Sequence, residues 1–381
     1  MVPKEPMEYT KTFNELKSVF TVENKKISIP GSDIEIHNID FRSDAPLIEF
    51  SNINDRLIAE NRTFSYPVFK PRNTKSDKVI LLLHGLNERS WVKYLVWAYY
   101  LAQNTDSWVI LFPISFHINR SPSAWKDPRA MIPFMKDRNS SIGEINKSSF
   151  ANIALSNRLT EDPMRFFKSG YQTTSDIVKL LSAVRDGEHE IIPRTNRFNI
   201  FAYSIGAFLA EIILMGNPGN LFSESKLFIF CGGSVFSNMQ GSSKLIMDSV
   251  AFDRVYNYYL NDFEKTLIGK SPLVEFLRSN QIGMAFRSMI DLGRLKIFRE
   301  NILKNLKDQI HSLSLLKDSV IPCKGIISTL GNNNRKNIVD VWDFPYAYTH
   351  ENPFPILESP LSKKVDYWFE RVFAEATMFL A

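Results

Sequence analysis

Short β-rich runs alternate along this chain with longer segments of helical pattern. The strand candidates lie near residues 34–41, 65–71, 78–85, 107–116, 197–204, 226–233, 310–316 and 337–344. The central runs are continuously apolar, as in KVILLLHG at 78–85, which is typical of strands covered by helices on both faces. The alternation predicts an α/β fold with a mostly parallel sheet.

Two intervals in this alternation are too long for simple loops. They span about residues 117–172 and 236–305, and connections longer than about 15 residues usually carry structure of their own. The second interval holds several helical patterns, so we predict that 236–305 is a helical cap or lid insertion. The core is then predicted at 61–235 and 306–381, after an N-terminal extension, 1–60, that includes the first edge strand.

Charge and cysteine content exclude several classes of protein. Lysine and arginine exceed the acids by 46 − 41 = 5 without a long run of like charges, so no nucleic-acid-binding arm is expected. The two cysteines supply neither a disulfide scaffold nor a zinc ribbon. The opening residues lack an apolar signal region, and no apolar run approaches about 18 residues. We therefore expect a cytoplasmic protein without integral membrane contact.

The sharpest local motif is Ala202-Tyr203-Ser204-Ile205-Gly206, between a buried strand and an apolar helix. It matches the nucleophile elbow G-x-S-x-G with alanine in the first small position. Small residues stand two positions before and two positions after the serine, because a larger side chain there would clash with neighbouring backbone. The amide of Ile205 then begins a helix, where unpaired N–H groups favour negative charge. The motif predicts that Ser204 is a nucleophile and that the Ile205 amide binds an oxyanion.

A second motif, Leu83-His84-Gly85-Leu86, follows the apolar run at 79–83. Acyl transfer needs two donors at the developing oxyanion, one after the nucleophile and one from the loop after an earlier strand. The Leu86 amide is the candidate for the second donor, and Gly85 lets the backbone approach closely. We interpret the His84 side chain as a brace for this loop.

A serine hydroxyl needs a base, and in sites of this type the acid and the histidine follow the serine in the chain. Of the six histidines, only His311 and His350 come after Ser204. His311 begins a predicted strand, at the end opposite the serine, so His350 is the predicted general base.

The acid that orients this histidine has three candidates. Asp318 follows the seventh predicted strand and precedes a proline, so its carboxylate should lie at the same sheet edge as Ser204. Asp343 closes the eighth run and is the second choice, and Asp340 lies within that run. A separation of 350 − 318 = 32 residues leaves room for a helix and a strand, which favours Asp318.

Four motifs together resemble the α/β-hydrolase superfamily: Leu83–Leu86, Ala202–Gly206, Lys317–Pro322 and Tyr348–Glu351. The resemblance covers about residues 60–381. It implies an eight-stranded, mostly parallel sheet, a triad of Ser204, Asp318 and His350, and an oxyanion hole from Leu86 and Ile205. Longer runs such as HGLNERSW and YTHENPFP resemble a bacterial hydrolase-like group without an assigned substrate.

Three further side chains are candidates for substrate binding. His117 and Arg120 leave the sheet edge after the fourth predicted strand, and Arg89 follows the oxyanion loop. The alternative for each is a solvated or internally paired group. If two of them converge on the site, an anionic group on the substrate is favoured.

These residues predict a serine hydrolase in which Ser204 attacks an ester-like carbonyl through an acyl-enzyme. A carboxylic ester is favoured over an amide, a thioester or a carbon–carbon bond, because esters need the least leaving-group activation. An acyltransferase and a non-catalytic ligand-binding or structural protein of the same fold are the alternatives. The expected partner is a small-molecule acyl substrate, no cofactor or metal is expected, and the oligomeric state is open.

Overall fold

In the computed structural model, which describes residues 7–45, 53–72, 76–331 and 338–381, nine strands form one sheet. The strands are β1 (Lys26–Ser28), β2 (Ile34–Arg42), β3 (Thr63–Pro71), β4 (Lys78–Leu83), β5 (Trp108–Leu111), β6 (Arg197–Tyr203), β7 (Leu227–Phe230), β8 (Ile310–Leu315) and β9 (Val339–Trp342). Their order across the sheet is β1-β2-β3-β5-β4-β6-β7-β8-β9. The strands from β5 to β9 in this order are parallel, and β1, β2 and β3 pair antiparallel.

The eight predicted runs all form strands, and the described sheet adds a ninth, β1, that the sequence prediction missed. β1 has only three residues, with one buried side chain between two exposed ones, and is too short to give a recognisable period. It pairs with the beginning of β2. This strand order, with a sharp turn to a helix after β6, is the α/β-hydrolase fold.

Helices cover both faces of the sheet. The helices of the described residues are α1 (Tyr9–Val19), α2 (Ile53–Arg56), α3 (Val92–Thr105), α4 (Pro128–Ile142), α5 (Ile153–Glu161), α6 (Met164–Asp186), α7 (Ile205–Gly216), α8 (Ser249–Asn257), α9 (Phe263–Thr266), α10 (Pro272–Ser279), α11 (Gln281–Ser288), α12 (Lys296–Asn305), α13 (Cys323–Leu330) and α14 (Leu361–Leu380). In these described ranges no helix has both the length and the apolarity needed to cross a bilayer.

Each face of the sheet has its own apolar core. α1, α3 and α14 pack on one face, and α6, α7 and α13 pack on the other. α14 buries Val365, Phe369, Val372 and Phe373, whose spacing places them on one side of the helix. Burial of both faces explains why the central strands contain almost no polar residues.

The predicted N-terminal extension is joined closely to this core. Tyr9 of α1 is buried, and its hydroxyl donates a hydrogen bond to the carbonyl of Phe354, 3.1 Å away. β1 and β2 belong to the sheet. Residues 1–6 and 46–52, which also fall in the predicted extension, lie outside the described residues.

Both long intervals are largely helical. The first contains α4, α5 and the beginning of α6. The second contains α8 to α12, and a π-helical stretch, Tyr258–Asp262, joins α8 to α9. α8 packs on α5, and α11 packs on α7, the helix that follows Ser204. The two intervals therefore pack against each other, and the second also packs on the helix that begins next to Ser204.

The carboxyl ends of the parallel strands bring the predicted site residues to one edge of the sheet. Leu86 follows β4, His117 follows β5, and Ser204 follows β6 directly. Asp318 follows β8, and His350 follows β9. In open α/β sheets this is the edge at which ligands bind.

Candidate active site

Ser204 lies in a strained turn between β6 and α7. Its backbone has φ 58° and ψ −124°, in the positive-φ range that L-residues rarely adopt. A Cβ on Gly206 would lie 2.6 Å from the carbonyl oxygen of Leu83, so glycine is required there. The close approach of this turn to the end of β4 explains the small residue two positions after the serine.

Ser204, His350 and Asp318 form a continuous chain of hydrogen bonds. The Ser204 Oγ lies 2.6 Å from Nε2 of His350, and Nδ1 of His350 lies 2.7 Å from Oδ2 of Asp318. A carboxylate accepts a hydrogen bond from Nδ1–H, so the proton stays on Nδ1 and Nε2 is free to accept the serine proton. All three side chains are more than nine-tenths buried.

The Asp318 carboxylate is fixed by its own turn. Its Oδ1 accepts hydrogen bonds from the amides of Val320 and Ile321, each at 2.9 Å. These bonds occupy one oxygen and leave Oδ2 for the histidine. The turn therefore sets the direction from which the carboxylate approaches His350.

The other two candidate acids are engaged elsewhere. The Asp343 carboxylate accepts a hydrogen bond from the Tyr348 hydroxyl at 2.9 Å and pairs with Lys317. Asp340 pairs with His311. Neither carboxylate is bonded to His350.

Tyr203 contacts the ring and the backbone of His350. The sequence did not single it out as a functional residue. Its ring stacks on the His350 ring, with 5.5 Å between centroids and 17° between planes. Its hydroxyl donates a hydrogen bond to the backbone carbonyl of His350. Lys93 donates to the next carbonyl, that of Glu351, at 3.1 Å, and its ammonium lies over the Tyr203 ring. The feature of the sequence that could have identified it is its position directly before the serine.

One of the two predicted oxyanion donors lies directly after Ser204, and the other lies in the turn after β4. Ile205 is the first residue of α7, and first-turn amides have no partner inside a helix. Leu86 lies in the turn after β4, where the Gly85 amide donates to the Tyr94 hydroxyl at 3.0 Å. Both Leu86 and Ile205 line the cavities described below.

His84 braces the loops after β4 and β5. Its Nδ1 donates to the carbonyl of Gly85 at 2.8 Å, and its Nε2 accepts from the amide of Ile114 at 2.9 Å. Complete burial lowers the pKa of His84 to about 3, so the ring is neutral. This arrangement agrees with a structural role.

Two apolar cavities lie next to each other and share Leu86, Phe166 and Ile205. The first, the Ser204 lobe, encloses about 460 Å³, part of it open to solvent, and its other lining residues are Ser204, Phe236, Met239, Gly241, Ile246, Met247, Phe252, Val255, Val320 and Ile321. The second, the His117 lobe, has a volume of about 560 Å³, part of it also open to solvent, and its other lining residues are Ile114, His117, Phe167, Ser169, Gly170, Tyr171, Thr174, Phe208, Leu209, Ile212, Ile282 and Phe286.

The predicted insertion supplies part of both lobes. Met247, Phe252 and Val255 face the Ser204 lobe, and Ile282 and Phe286 face the His117 lobe. These residues of the 236–305 interval therefore lie near the sheet edge that carries Ser204.

The beginning of this insertion is tied to loops of the site. Ser243 donates a hydrogen bond to the carboxylate of Glu351, next to His350. The side-chain amide of Asn87, next to Leu86, donates to the carbonyl of Leu245 at 2.7 Å. These contacts connect the insertion to both the base loop and the oxyanion loop.

The structure contradicts the prediction that Arg120 faces the pocket. Its guanidinium is completely buried, pairs with Asp176 at 2.8 Å and donates to the carbonyls of Pro113 and Asn61. Proximity to the end of β5 placed the residue near the site, but the buried carboxylate on α6 directs the side chain inward. Arg120 is an internally paired cation.

The other two candidates differ from each other. Arg89 is partly exposed, with its guanidinium over the Phe150 ring, and is absent from the lining of both lobes. His117 lines the second lobe. Of the three, only His117 contributes to the cavity, so the described residues do not form the pair of cations that would favour an anionic substrate.

One group of described residues brings potential metal ligands together. The ligand atoms of His311, Asp340 and Glu375 lie within 4.8 Å of one another. His311 is near the beginning of β8, at the sheet edge away from Ser204. Such groups are common without a metal, and this one takes no part in the arrangement around the serine.

Comparison with known proteins finds one family and several distant structures. The family described as "Family of unknown function (DUF6051)" matches residues 48–381. No curated protein matches the chain. Because one fold hosts many unrelated functions, a distant structural likeness carries no information about the substrate.

The chain is similar to carboxyl esterase 2 from the mycorrhizal fungus Tuber melanosporum, with 10% identity, complete coverage of both chains and a TM-score of 0.47. It is also similar to an esterase from Pyrobaculum calidifontis, with 11% identity, coverage of 98% and 92%, and a TM-score of 0.46. A cold-adapted esterase from an Arctic intertidal metagenomic library has 11% identity, coverage of 92% and 95%, and a TM-score of 0.42.

Proposed function

The chain belongs to DUF6051, a family of unknown function, and we propose that it is a serine hydrolase that cleaves carboxylic esters through an acyl-enzyme. The observation that carries the proposal is the buried hydrogen-bond chain from Ser204 through His350 to Asp318. Ser204 borders one apolar cavity, and a second apolar cavity shares Leu86, Phe166 and Ile205 with the first, so the two together offer space for the two halves of an ester.

In the first step, the Ser204 Oγ attacks the ester carbonyl carbon while Nε2 of His350 takes the hydroxyl proton. The 2.6 Å distance between these atoms is within the range for direct proton transfer. Asp318 holds the Nδ1 proton and stabilises the imidazolium that forms. The negative charge of the tetrahedral intermediate then falls on the former carbonyl oxygen.

The amides of Leu86 and Ile205 are proposed to bind that oxygen. Both residues border the two cavities, so a carbonyl placed between the lobes would lie next to both residues. Fixed donors at a developing oxyanion lower the barrier because they need no reorganisation as charge appears. The dipole of α7 adds to the effect at Ile205.

The intermediate collapses when His350 returns its proton to the leaving alkoxide oxygen. Water, activated by the same histidine, then attacks the acyl-Ser204 ester and releases the acid. Formation and hydrolysis of the acyl-enzyme thus use the same base and the same oxyanion site. No step calls on a metal or an organic cofactor, so chelators should leave the rate unchanged.

Residues 236–305 are proposed to act as a cap that excludes water and opens to admit substrate. Support comes from the insertion residues that line both lobes and from the contacts of Ser243 and Asn87 described above. Hydrogen exchange measured with and without a covalent phosphonate inhibitor tests the cap. Slower exchange in α8 and α11 of the inhibited protein is expected, and unchanged exchange there would contradict it.

Hydrolysis of p-nitrophenyl esters of graded acyl length tests the reaction. Wild-type protein should release p-nitrophenol well above the buffer rate, and Ser204→Ala should lose the activity by several orders of magnitude. Ser204→Ala removes one oxygen and should retain the folded circular dichroism spectrum. A folded wild type that hydrolyses none of the esters would instead favour a non-catalytic ligand-binding protein.

A further inference from the structure

His117, which lines the second cavity, has a polar atom that is unpartnered within the described part of the chain. The residue is 5% exposed, and it is the only imidazole among the described residues that line the His117 lobe. Its Nδ1 lies 2.9 Å from the backbone carbonyl oxygen of Ser115. Its Nε2 is buried and has no hydrogen-bond partner among the described residues.

The hydrogen bond at Nδ1 fixes the tautomer. A carbonyl oxygen only accepts, so Nδ1 must carry the proton. Burial, together with the neighbouring His84, lowers the pKa of His117 to about 3, and the ring is therefore neutral at physiological pH. In a neutral imidazole protonated at Nδ1, Nε2 is a bare acceptor.

The rest of the lobe offers little that could satisfy such an acceptor. The hydroxyls of Ser169 and Thr174, which also line it, donate to carbonyls of their own helix, those of Phe166 and Gly170. The other lining side chains are apolar apart from Tyr171, which is partly exposed. A buried polar atom without a partner is unusual in a native protein and calls for a ligand or a water.

The position of the base indicates which half of an ester enters this lobe. Val320 and Ile321, whose amides hold Asp318, line the Ser204 lobe, so that lobe lies on the side of Asp318 and His350. His350 must protonate the leaving alkoxide, which therefore departs on this side. The acyl chain then extends in the opposite direction, past Leu86 and Ile205, into the His117 lobe.

We propose that Nε2 of His117 accepts a hydrogen bond from a hydroxyl group on the acyl chain, so that the natural substrates are esters of hydroxylated fatty or related apolar acids. The inference rests on the proposed esterase function. An apolar lobe selects a hydrocarbon chain, and a single buried acceptor selects a donor at one position along it. A neutral acceptor also disfavours a carboxylate or phosphate at that position, because both would present lone pairs to lone pairs.

The test uses ethyl octanoate and a series of its monohydroxylated derivatives, with the hydroxyl at successive carbons of the acyl chain. The kcat/KM of each ester is measured by acid release in a pH-stat. Wild-type protein should prefer one hydroxylated ester over the unsubstituted ester by roughly 10- to 100-fold, the range that one buried acceptor left unpaired produces. No preference at any position would overturn the inference.

Variants at the same position separate hydrogen bonding from shape. His117→Phe keeps the ring but removes the acceptor, and it should bring the preference ratio close to one. His117→Gln retains an acceptor at a similar distance from the backbone and should restore part of the ratio. A His117→Phe protein that folds and keeps the full wild-type ratio would contradict the proposal.

His37→Phe is the matched control, because Nε2 of His37 pairs with Glu35 on β2, outside both lobes. It should leave the ratio unchanged.

Failure of this inference is distinguishable from failure of the proposed function. Hydrolysis of the unsubstituted ester without any hydroxyl preference defeats only the role of His117, whereas hydrolysis of no ester defeats the esterase proposal.

Discussion

The ring of Tyr203 lies parallel to the ring of His350, with centroids 5.5 Å apart, and its hydroxyl donates to the His350 backbone carbonyl. The residue before the nucleophile thus contacts both the ring and the backbone of the proposed base. Because Tyr203 and Ser204 are adjacent in β6 and its turn, this contact fixes the histidine relative to the serine. Tyr203 is a positioning residue in this arrangement.

Tyr203→Phe should distinguish the contribution of the hydrogen bond from that of the ring stacking. The variant keeps the stacking but leaves a buried carbonyl unpaired, which should lower the free energy of unfolding by about 1–3 kcal/mol. Loss of this constraint on the His350 loop should also lower kcat several-fold, with little change in KM. Urea unfolding and ester hydrolysis measure the two effects, with the exposed Tyr367→Phe as control. An unchanged kcat would remove Tyr203 from the positioning role.

Asp318→Asn should lower kcat by about 10⁴, because an asparagine in this place no longer holds the correct histidine tautomer. Asp343→Asn is the matched control, since that carboxylate bonds to Tyr348 and Lys317 and not to His350. Steady-state kinetics on a p-nitrophenyl ester give both values. If Asp343→Asn were the more damaging change, the acid would have to be reassigned.

Asp176→Ala should destabilise the fold strongly. Arg120 and Asp176 are both completely buried and 2.8 Å apart, so removal of the carboxylate leaves an unpaired buried cation. Loss of one partner of such a pair costs about 3–5 kcal/mol. Asp186→Ala removes a carboxylate from an exposed pair with Arg185 and should change stability far less. Equal effects in urea unfolding would contradict the buried pairing.

Glu211 of α7 predicts a pH dependence of stability. It is completely buried, neither carboxyl oxygen has a hydrogen-bond partner among the described residues, and burial raises its pKa well above 4.5, with Arg299 offsetting only part of the effect. The folded protein therefore keeps this proton after the unfolded chain has released it. The stability that the protonated group contributes is complete below about pH 4.5 and falls as the pH rises towards the folded-state pKa.

Glu211→Gln removes this titration, so its stability relative to wild type should rise with pH, by up to about 1.4 kcal/mol per pH unit. Urea unfolding at pH 5 and pH 8 measures the difference. Glu224→Gln, at an exposed position after the same helix, is the control and should show a constant difference. A Glu211→Gln effect that is independent of pH would mean that Glu211 ionises equally in both states.

The parts of the fold and of the site that depend on position along the chain could be predicted from the sequence. Eight β-rich runs form strands, and Ser204 and Asp318, which come shortly after strand ends, lie at the expected edge because parallel strands share their carboxyl ends. His350 was predicted by chain order, and the structure places it between them.

The remainder depended on contacts between residues distant in sequence. Arg120 turned inward because Asp176, 56 residues later, is buried beside it. The stacking of Tyr203 on His350 spans 147 residues and leaves no local pattern. That Nε2 of His117 has no hydrogen-bond partner among the described residues likewise becomes evident only from the three-dimensional positions of its neighbours. β1 was missed for a different reason, because its three residues are too few to show a period.

The central claim is that Ser204 is an activated nucleophile, and reaction with a fluorophosphonate tests it most directly. The probe phosphonylates only a serine whose proton is removed by a base, and tryptic mass spectrometry locates the adduct. One adduct per chain, on Ser204, is predicted for wild-type protein, and none for Ser204→Ala or for heat-unfolded wild type. An adduct on a different serine, or no adduct on folded wild-type protein, would contradict the account.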